Sequence, residues 1–253
     1  MENFIKNISK ISGDELLKNF NKEKDLISLR QNSKEVVIKY DKEIDSLIVK
    51  EIEKKYPEHN ILAEESGLKD NGSDYLWIID SLDGSGNFAN KNPLFSVCIA
   101  LLFKNNLILG VTYAPAIDEF YFAKKGEGAF LNKKRIKVSE TKNLKNSYIY
   151  FCDGHEKDKD KLSKDLSLVF KNVIDLRKIG SAGVETGWVA SGRADGFLIF
   201  KGDPWDLASG VLIIEEAGGK VSSFKNEPWV IKEGSYIFSN NKIHKNLINL
   251  LNY

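Results

Sequence analysis

The sequence predicts a mixed protein of two unlike halves, an α+β half over residues 1–145 and an α/β half over 146–253. Three observations carry this. The first 55 residues repeat apolar side chains at helical spacing, residues 60–138 read as a run of short strands, and beyond 145 strands and helices alternate. No Pro/Gly/Ser-rich tether separates the halves, so they are expected to pack against each other.

Phe4, Ile5, Ile8, Ile11, Leu16 and Leu17 mark a first helix, and Ile44, Leu47, Ile48 and Ile52 a second one after Asp41. Between them, 31–39 is polar and then β-branched at Val36-Val37-Ile38, which predicts a short extended segment. Tyr56-Pro57 closes the second helix. Strands are predicted over Asn60–Ala63, 75–79, 95–103, 107–113 and 119–123, with Asn105-Asn106 as a tight turn and 126–138 as a further hairpin. The second half is expected to run strand 147–152, helix Lys159–Phe170, strand 173–176, helix 182–191, strand 196–200 and helix 207–217. Strands Lys220–Ser223 and 235–239 and a helix over 242–251 complete it.

With 253 residues the chain can bury a large interior. It is 42% apolar and 29% charged, with a net charge of +1, so nothing in the charge balance points to nucleic acid or acidic lipid. Its two cysteines, Cys98 and Cys152, have no CxxC spacing, which fits a reducing compartment. The first residues lack an apolar signal core and no apolar run reaches membrane-spanning length, so a cytoplasmic protein without a membrane partner is expected.

The most informative stretch is Leu-Trp-Ile-Ile-Asp-Ser-Leu-Asp-Gly-Ser at 76–85, where an apolar strand runs into Asp80 and Asp83 and then Ser85. Two carboxylates so close repel each other and lose hydration unless a cation lies between them. Oxygen donors without histidine or cysteine favour Mg²⁺ or Mn²⁺ over Zn²⁺. Glu64-Glu65 after the strand at Asn60–Ala63, and Asp206 at the start of a later helix, are similarly placed at element ends. Taken singly, Asp206 and Asp41 read as helix caps, Glu64-Glu65 as a solvated pair and Asp83-Gly84 as a turn. Their occurrence together, after a strand too apolar to end in unpaired charge, favours a metal site. A GxxxxGK[ST] loop is absent, the aspartates are spaced three apart rather than two as in haloacid-type phosphatases, and His59, His155 and His244 read as surface residues. Metal-assisted attack by water is the chemistry that remains.

Glu64-Glu65-Ser66, Asp80-Ser81-Leu82-Asp83-Gly84-Ser85, Trp205-Asp206-Leu207-Ala208-Ser209-Gly210 and Glu216-Ala217-Gly218-Gly219 resemble the motifs of the inositol monophosphatase family, in order and over nearly the whole chain. Gly110-Val111-Thr112-Tyr113-Ala114-Pro115 and Gly126-Glu127-Gly128-Ala129-Phe130-Leu131-Asn132 extend the match. The resemblance implies a layered αβαβα sandwich and a Mg²⁺-dependent, lithium-sensitive phosphatase using two or three ions, with Mn²⁺ as a substitute. By position it implies Glu64, Asp80 and the Leu82 carbonyl as ligands of a first metal. It implies Asp80, Asp83 and Asp206 as ligands of a second. Ser85 would orient the attacking water with Asp41 as its partner, and Glu64 would share the catalytic work. Gly84 and Ser85 amides would hold the phosphate, and Gly180, Ser181 and Ala182, with Asp83 and Asp206, would meet the rest of the substrate. Neutralising Asp83 is expected to cost activity and spare the fold.

The chain departs from the pattern at three places. Ser81 stands where the motif usually carries proline, Ile38 where a threonine is usual, and Ile199 where inositol-type members place an acid that binds polyol hydroxyls. The implied reaction is hydrolysis of a small phosphate monoester, inositol-1-phosphate or a related sugar phosphate. Fructose-1,6-bisphosphate, 3′-phosphoadenosine-5′-phosphate and NADP⁺ are alternatives, and a non-catalytic regulatory binding protein is the alternative of another class. A homodimer is implied by the resemblance alone.

Overall fold

Helix α1 (Glu2–Lys22) turns Ile5, Ile8 and Leu16 into the interior, while Ile11, on the same apolar stripe, stays exposed. Helix α2 (Leu26–Lys55) buries Ile44, Ile48 and Ile52 at i, i+4 spacing. The computed structural model describes residues 1–22 and 26–251, with side chains outside 21–38. α2 runs unbroken through 31–39, where the sequence predicts an extended segment. β-branched residues lower helix propensity by only tenths of a kcal/mol each, about 0.7 at most. The long anchored helix that follows outweighs that local preference.

The two helices cover one face of an eight-stranded sheet in the order β2-β1-β3-β4-β5-β6-β7-β8. Its strands are β1 (Asn60–Ala63), β2 (Gly67–Lys69), β3 (Tyr75–Asp83), β4 (Ser96–Phe103), β5 (Asn106–Ala114), β6 (Glu119–Lys124), β7 (Gly128–Leu131) and β8 (Lys134–Arg135). β1 and β3 are parallel and the other pairings antiparallel. β2 is fully exposed and three residues long, too short to show a period, and the sequence gives no sign of it. After β3 comes a short helix α3 (Ser85–Ala89), also unanticipated.

A second sheet, in the order β10-β9-β11-β13-β12, joins β9 (Tyr148–Cys152), β10 (Asp175–Arg177), β11 (Gly196–Gly202), β12 (Lys220–Ser223) and β13 (Gly234–Ser239). Between the sheets lie α5 (Ala182–Ala190) and α6 (Pro204–Glu216), apolar on nearly every face because both faces are covered. α4 (Lys159–Phe170) and α7 (His244–Leu251) close the outer side. The layers therefore stack α, β, α, β, α. α5 and α6 meet through Gly210, where a side-chain carbon would come within 2.6 Å of Thr186 Oγ1.

Two histidines are not the surface residues that the sequence suggests. His59 is half-buried, stacked between Tyr56 and Tyr75, and accepts the Trp77 indole N–H at Nδ1 (3.0 Å). His244 is 2% exposed, with Ser239 Oγ at Nδ1 and Ser222 Oγ at Nε2, each 2.8 Å away. Polar neighbours in sequence hid both, because the groups that bury them, Tyr75 and Trp77 for His59 and Ser222 and Ser239 for His244, stand elsewhere in the chain. Burial holds the His244 ring down to about 4, so it is neutral at physiological pH. Replacing His244 by alanine strands two buried hydroxyls and opens a cavity, an expected loss of about 2–4 kcal/mol. A melting temperature lower by roughly 4–16 °C in calorimetry would match that loss.

Candidate active site

Parallel pairing of β1 with β3 sets Ala63 opposite Ile79, and the Glu64 N–H donates to Ile79 O at 3.2 Å. Glu64 therefore leaves β1 beside Asp80. β3 does not end at Ile79 but continues to Asp83, with an irregular register between Asp80, opposite Cys98, and Asp83, opposite Ser96. Such a bulge re-aims successive side chains at a strand end. Leu82, itself buried, donates its N–H to Asp80 Oδ1 at 3.0 Å. Asp206 is not the N-cap of α6: Pro204 starts the helix, Asp203 caps it, and Asp206 Oδ2 accepts the Asp203 N–H at 3.0 Å.

Asp41 is not a helix cap either, since it lies within α2. Its side chain is met by Ser81, whose Oγ donates to Asp41 Oδ1 at 2.5 Å and lies 3.1 Å from the Asp41 carbonyl oxygen. The resemblance assigns that partnership to Ser85, which is half-buried at the start of α3. One turn beyond Asp41, Asp45 is also buried, and its Oδ2 has no partner among the described residues. The i, i+4 spacing of the two acids on one helix was the available signal for Asp45, and the sequence reading passed over it.

Asp83 is the most heavily bonded of these site acids. It accepts from Ser96 Oγ (2.5 Å), Ser181 Oγ, Ala182 N (2.8 Å) and Gly183 N (3.0 Å), so it ties β3 to the start of α5. Gly84 makes that approach feasible. It adopts φ +80°, and a side-chain carbon there would stand 3.0 Å from both Leu94 O and Ser181 Cβ. Gly180, Ser181 and Ala182 are thus brought to the acids, with the Ser181 hydroxyl and the Ala182 amide committed to Asp83. Glu185, another acid not singled out from the sequence, is fully buried in α5 and accepts the Ile179 N–H at 2.8 Å. Burial, and the nearby charge of Asp83, push it well above the usual carboxylate range.

Electrostatics bind the acids into one group. Burial raises Asp80 well above its ordinary value, and the charges of Glu64, Asp83, Asp206 and Asp41 raise it further. Glu64 keeps an exposed face, yet protein crowded around its carboxyl and the charges of Asp41, Asp206, Glu65 and Asp83 push it up to about 8. Asp206 is pushed to about 7 by burial and by Asp83, and Asp41 to about 6 by burial, against the Ser81 hydrogen bond. Five acids all raised by burial, three of them further by the charges of the others, fit a site for hard divalent cations. No three of them form a ready-made coordination sphere among the described residues, so the fit rests on donor chemistry and mutual repulsion.

Sulfur and imidazole are closer to the acids than the sequence suggests. Cys98 lies beneath Asp80 and Asp83, where burial and their charges hold the thiol protonated, and its Sγ contacts Ser96 Oγ at 3.6 Å. His155, exposed at the rim, pairs with Asp203 at 2.9 Å. A hollow of about 770 Å³ between α1 and β5–β7, floored by Phe120, Phe122 and Phe130, holds none of Glu64, Asp80, Asp83, Asp206 and Asp41.

The raised acids fix the sign of a pH effect. Carboxyls whose folded values exceed their unfolded ones stabilise the fold fully below about pH 4 and lose that contribution as pH climbs through about 6, 7 and 8. Above about pH 7.5 His244 is neutral whether folded or unfolded, so the upper part of this range reports mainly the acids. Melting temperatures in chelator are therefore expected to fall between pH 6.5 and 8.5. Added Mg²⁺ should raise them most at the alkaline end; a flat profile in both series would remove the acids from a common site.

The sequence matches the inositol monophosphatase family over residues 1–252. A fructose-1,6-bisphosphatase/inositol-1-monophosphatase of Thermotoga maritima is 37% identical over 234 residues, covering 90% of this chain and 87% of that one. The Nus factor SuhB of Escherichia coli K12 is 32% identical over 253 residues, 98% of this chain and 94% of that one. The crystal structure of the extragenic suppressor protein suhB from Bartonella henselae superposes with a TM-score of 0.88 at 27% identity, covering 99% of this chain and 97% of that one. Its layers, its acids and these likenesses agree: the chain belongs to the inositol monophosphatase family.

Proposed function

We propose that the chain is a Mg²⁺-dependent phosphatase acting on monoesters of small polyols or sugars. The observation that carries the reading is the gathering of Glu64, Asp80, Asp83 and Asp206 from the end of β1, from β3 and from α6, with the Asp83 charge raising the affinity of the other three for protons. In this reading Glu64, Asp80, the Leu82 carbonyl, Asp83 and Asp206 hold the cations. When bound, the cations neutralise the phosphate and make water a competent nucleophile at neutral pH. Ser85 orients that water, Asp41 accepts a hydrogen bond at the same place, and the Gly84 and Ser85 amides face the phosphate. Asp83, held by Ser181 and Ala182, forms the wall toward the alcohol part of the substrate. Ile199 is 1% exposed in the core, so that position offers no acceptor to a polyol hydroxyl. Sugar phosphates such as fructose-1,6-bisphosphate, named for the Thermotoga relative, therefore stand beside inositol-1-phosphate.

The test is phosphate release with Mg²⁺ from inositol-1-phosphate, fructose-1,6-bisphosphate, 3′-phosphoadenosine-5′-phosphate and NADP⁺. Release from one or more, lost on chelation, is expected. No release from any ester, with a cation bound, would turn the reading toward a regulatory binding protein, as the name Nus factor for the SuhB relatives suggests.

A further inference from the structure

We propose that Ser81 is the positioning residue for Asp41 in the hydrolytic step, leaving the Ser85 hydroxyl free for water; the inference rests on the function proposed above. Ser81 lies between Asp80 and Leu82 in the bulged end of β3, with 1% of its surface exposed. Its hydroxyl has one proton and two nearby acceptors on Asp41, Oδ1 at 2.5 Å and the main-chain oxygen at 3.1 Å. The shorter contact has the length of a charge-assisted O–H···O⁻ bond, so the proton is directed to Oδ1. Among the described residues Ser81 supplies the only hydrogen bond to that carboxylate, which leaves Oδ2 as an open acceptor, and the Asp41 charge acts on both Glu64 and Asp80.

The position in the chain gives this bond its consequence. Asp41 belongs to α2 and the proposed ligands Asp80 and Leu82 to β3, forty residues away. A hydroxyl on the residue between those two ligands ties the Asp41 carboxylate to the same stretch of backbone that aims them. Displacement of α2 against the sheet would otherwise move Asp41 out of register, and misplacements of about 1 Å can cost ~10²-fold in rate. Proline, usual at this point of the motif that the chain resembles, has no hydroxyl and could not make the bond. Serine here is thus a functional exchange, not a change in backbone stiffness alone.

The experiment compares the full-length parent with Ser81→Ala, Ser81→Thr, Asp41→Asn and the Ser81→Ala/Asp41→Asn double variant, using the ester the parent turns over. Calorimetric Mn²⁺ binding is measured alongside. Ser81→Ala is expected to lower kcat by about tenfold with KM and Mn²⁺ affinity within about twofold, because a positioning group acts after the cations and substrate are bound. Ser81→Thr, which keeps the hydroxyl, should recover most of the rate. Ser81→Ala should add nothing to Asp41→Asn, since groups acting as a unit are not additive. If Ser81→Ala does not fold, Ser81→Cys, a weaker donor, carries the same expectation at smaller size. A Ser81→Ala enzyme as fast as the parent, one whose Mn²⁺ affinity falls in step with its rate, or additivity with Asp41→Asn would overturn the role. A parent that binds Mn²⁺ and releases no phosphate defeats the proposed function itself, whereas an active parent with an unaffected Ser81→Ala variant defeats only this inference.

Discussion

Stripping divalent cations from the protein is expected to reduce phosphate release at least ~10³-fold, which corresponds to about 4 kcal/mol of barrier. The reason lies in the sign of the site. Glu64, Asp80, Asp83 and Asp206 present only negative charge or neutral acid to a phosphate ester that is itself negative. Lys178, shortly before Ser181, and Lys201, shortly before Asp206, are engaged by Asp153 and Glu156 and so do not supply the missing positive charge. Divalent cations contribute several kcal/mol of charge stabilisation at such sites. Phosphate release after dialysis against chelator, then on back-titration with Mg²⁺, measures the effect. Recovery by Mg²⁺ and weak recovery by Ca²⁺, a larger and less demanding ion, is the expected order. Full turnover in excess chelator would rule the mechanism out.

Much of this arrangement was legible in the sequence because it depends on local signals. Helices such as Lys159–Phe170 and strands such as Asn60–Ala63 show their periods, and the acids stand at recognisable ends of apolar runs. What escaped depends on contacts across the fold. Ser81 and Asp41 are neighbours only because α2 packs on β3, and Ser181 reaches Asp83 across 98 residues. Asp206 looked like a cap because the proline two residues before it was not given its usual place at the first helical position. His244 looked exposed because serines in sequence give no hint that they face inward together. The extended segment expected at 31–39 was a local preference overridden by a long helix.

Asp83→Asn is expected to cut turnover at least ~10²-fold, on the scale of one lost charged group at a preorganised site. The structure changes what else it should do. From the sequence, neutralising an acid beside other acids promised relief of repulsion and an intact fold. Relief is real, since burial raises Asp83 and Asp83 raises Glu64, Asp80 and Asp206. Yet Asp83 also accepts from two hydroxyls and two amides. Asparagine presents one oxygen where the carboxylate presented two, and its NH₂ must face donors. The Ser96 and Ser181 hydroxyls can turn to accept from it, but the Ala182 and Gly183 amides cannot. One buried amide loses its partner, a cost of about 1–3 kcal/mol, against which the reduced repulsion acts. The variant should therefore fold with a lower melting temperature in Mg²⁺. In chelator at alkaline pH, where repulsion among the acids is greatest, the gap to the parent should narrow. Kinetics and melting curves of the same preparation separate the two effects. A fully active Asp83→Asn would remove Asp83 from the site, and a melting temperature no lower than the parent's in Mg²⁺ would show that its bonds to α5 are not holding the layers together.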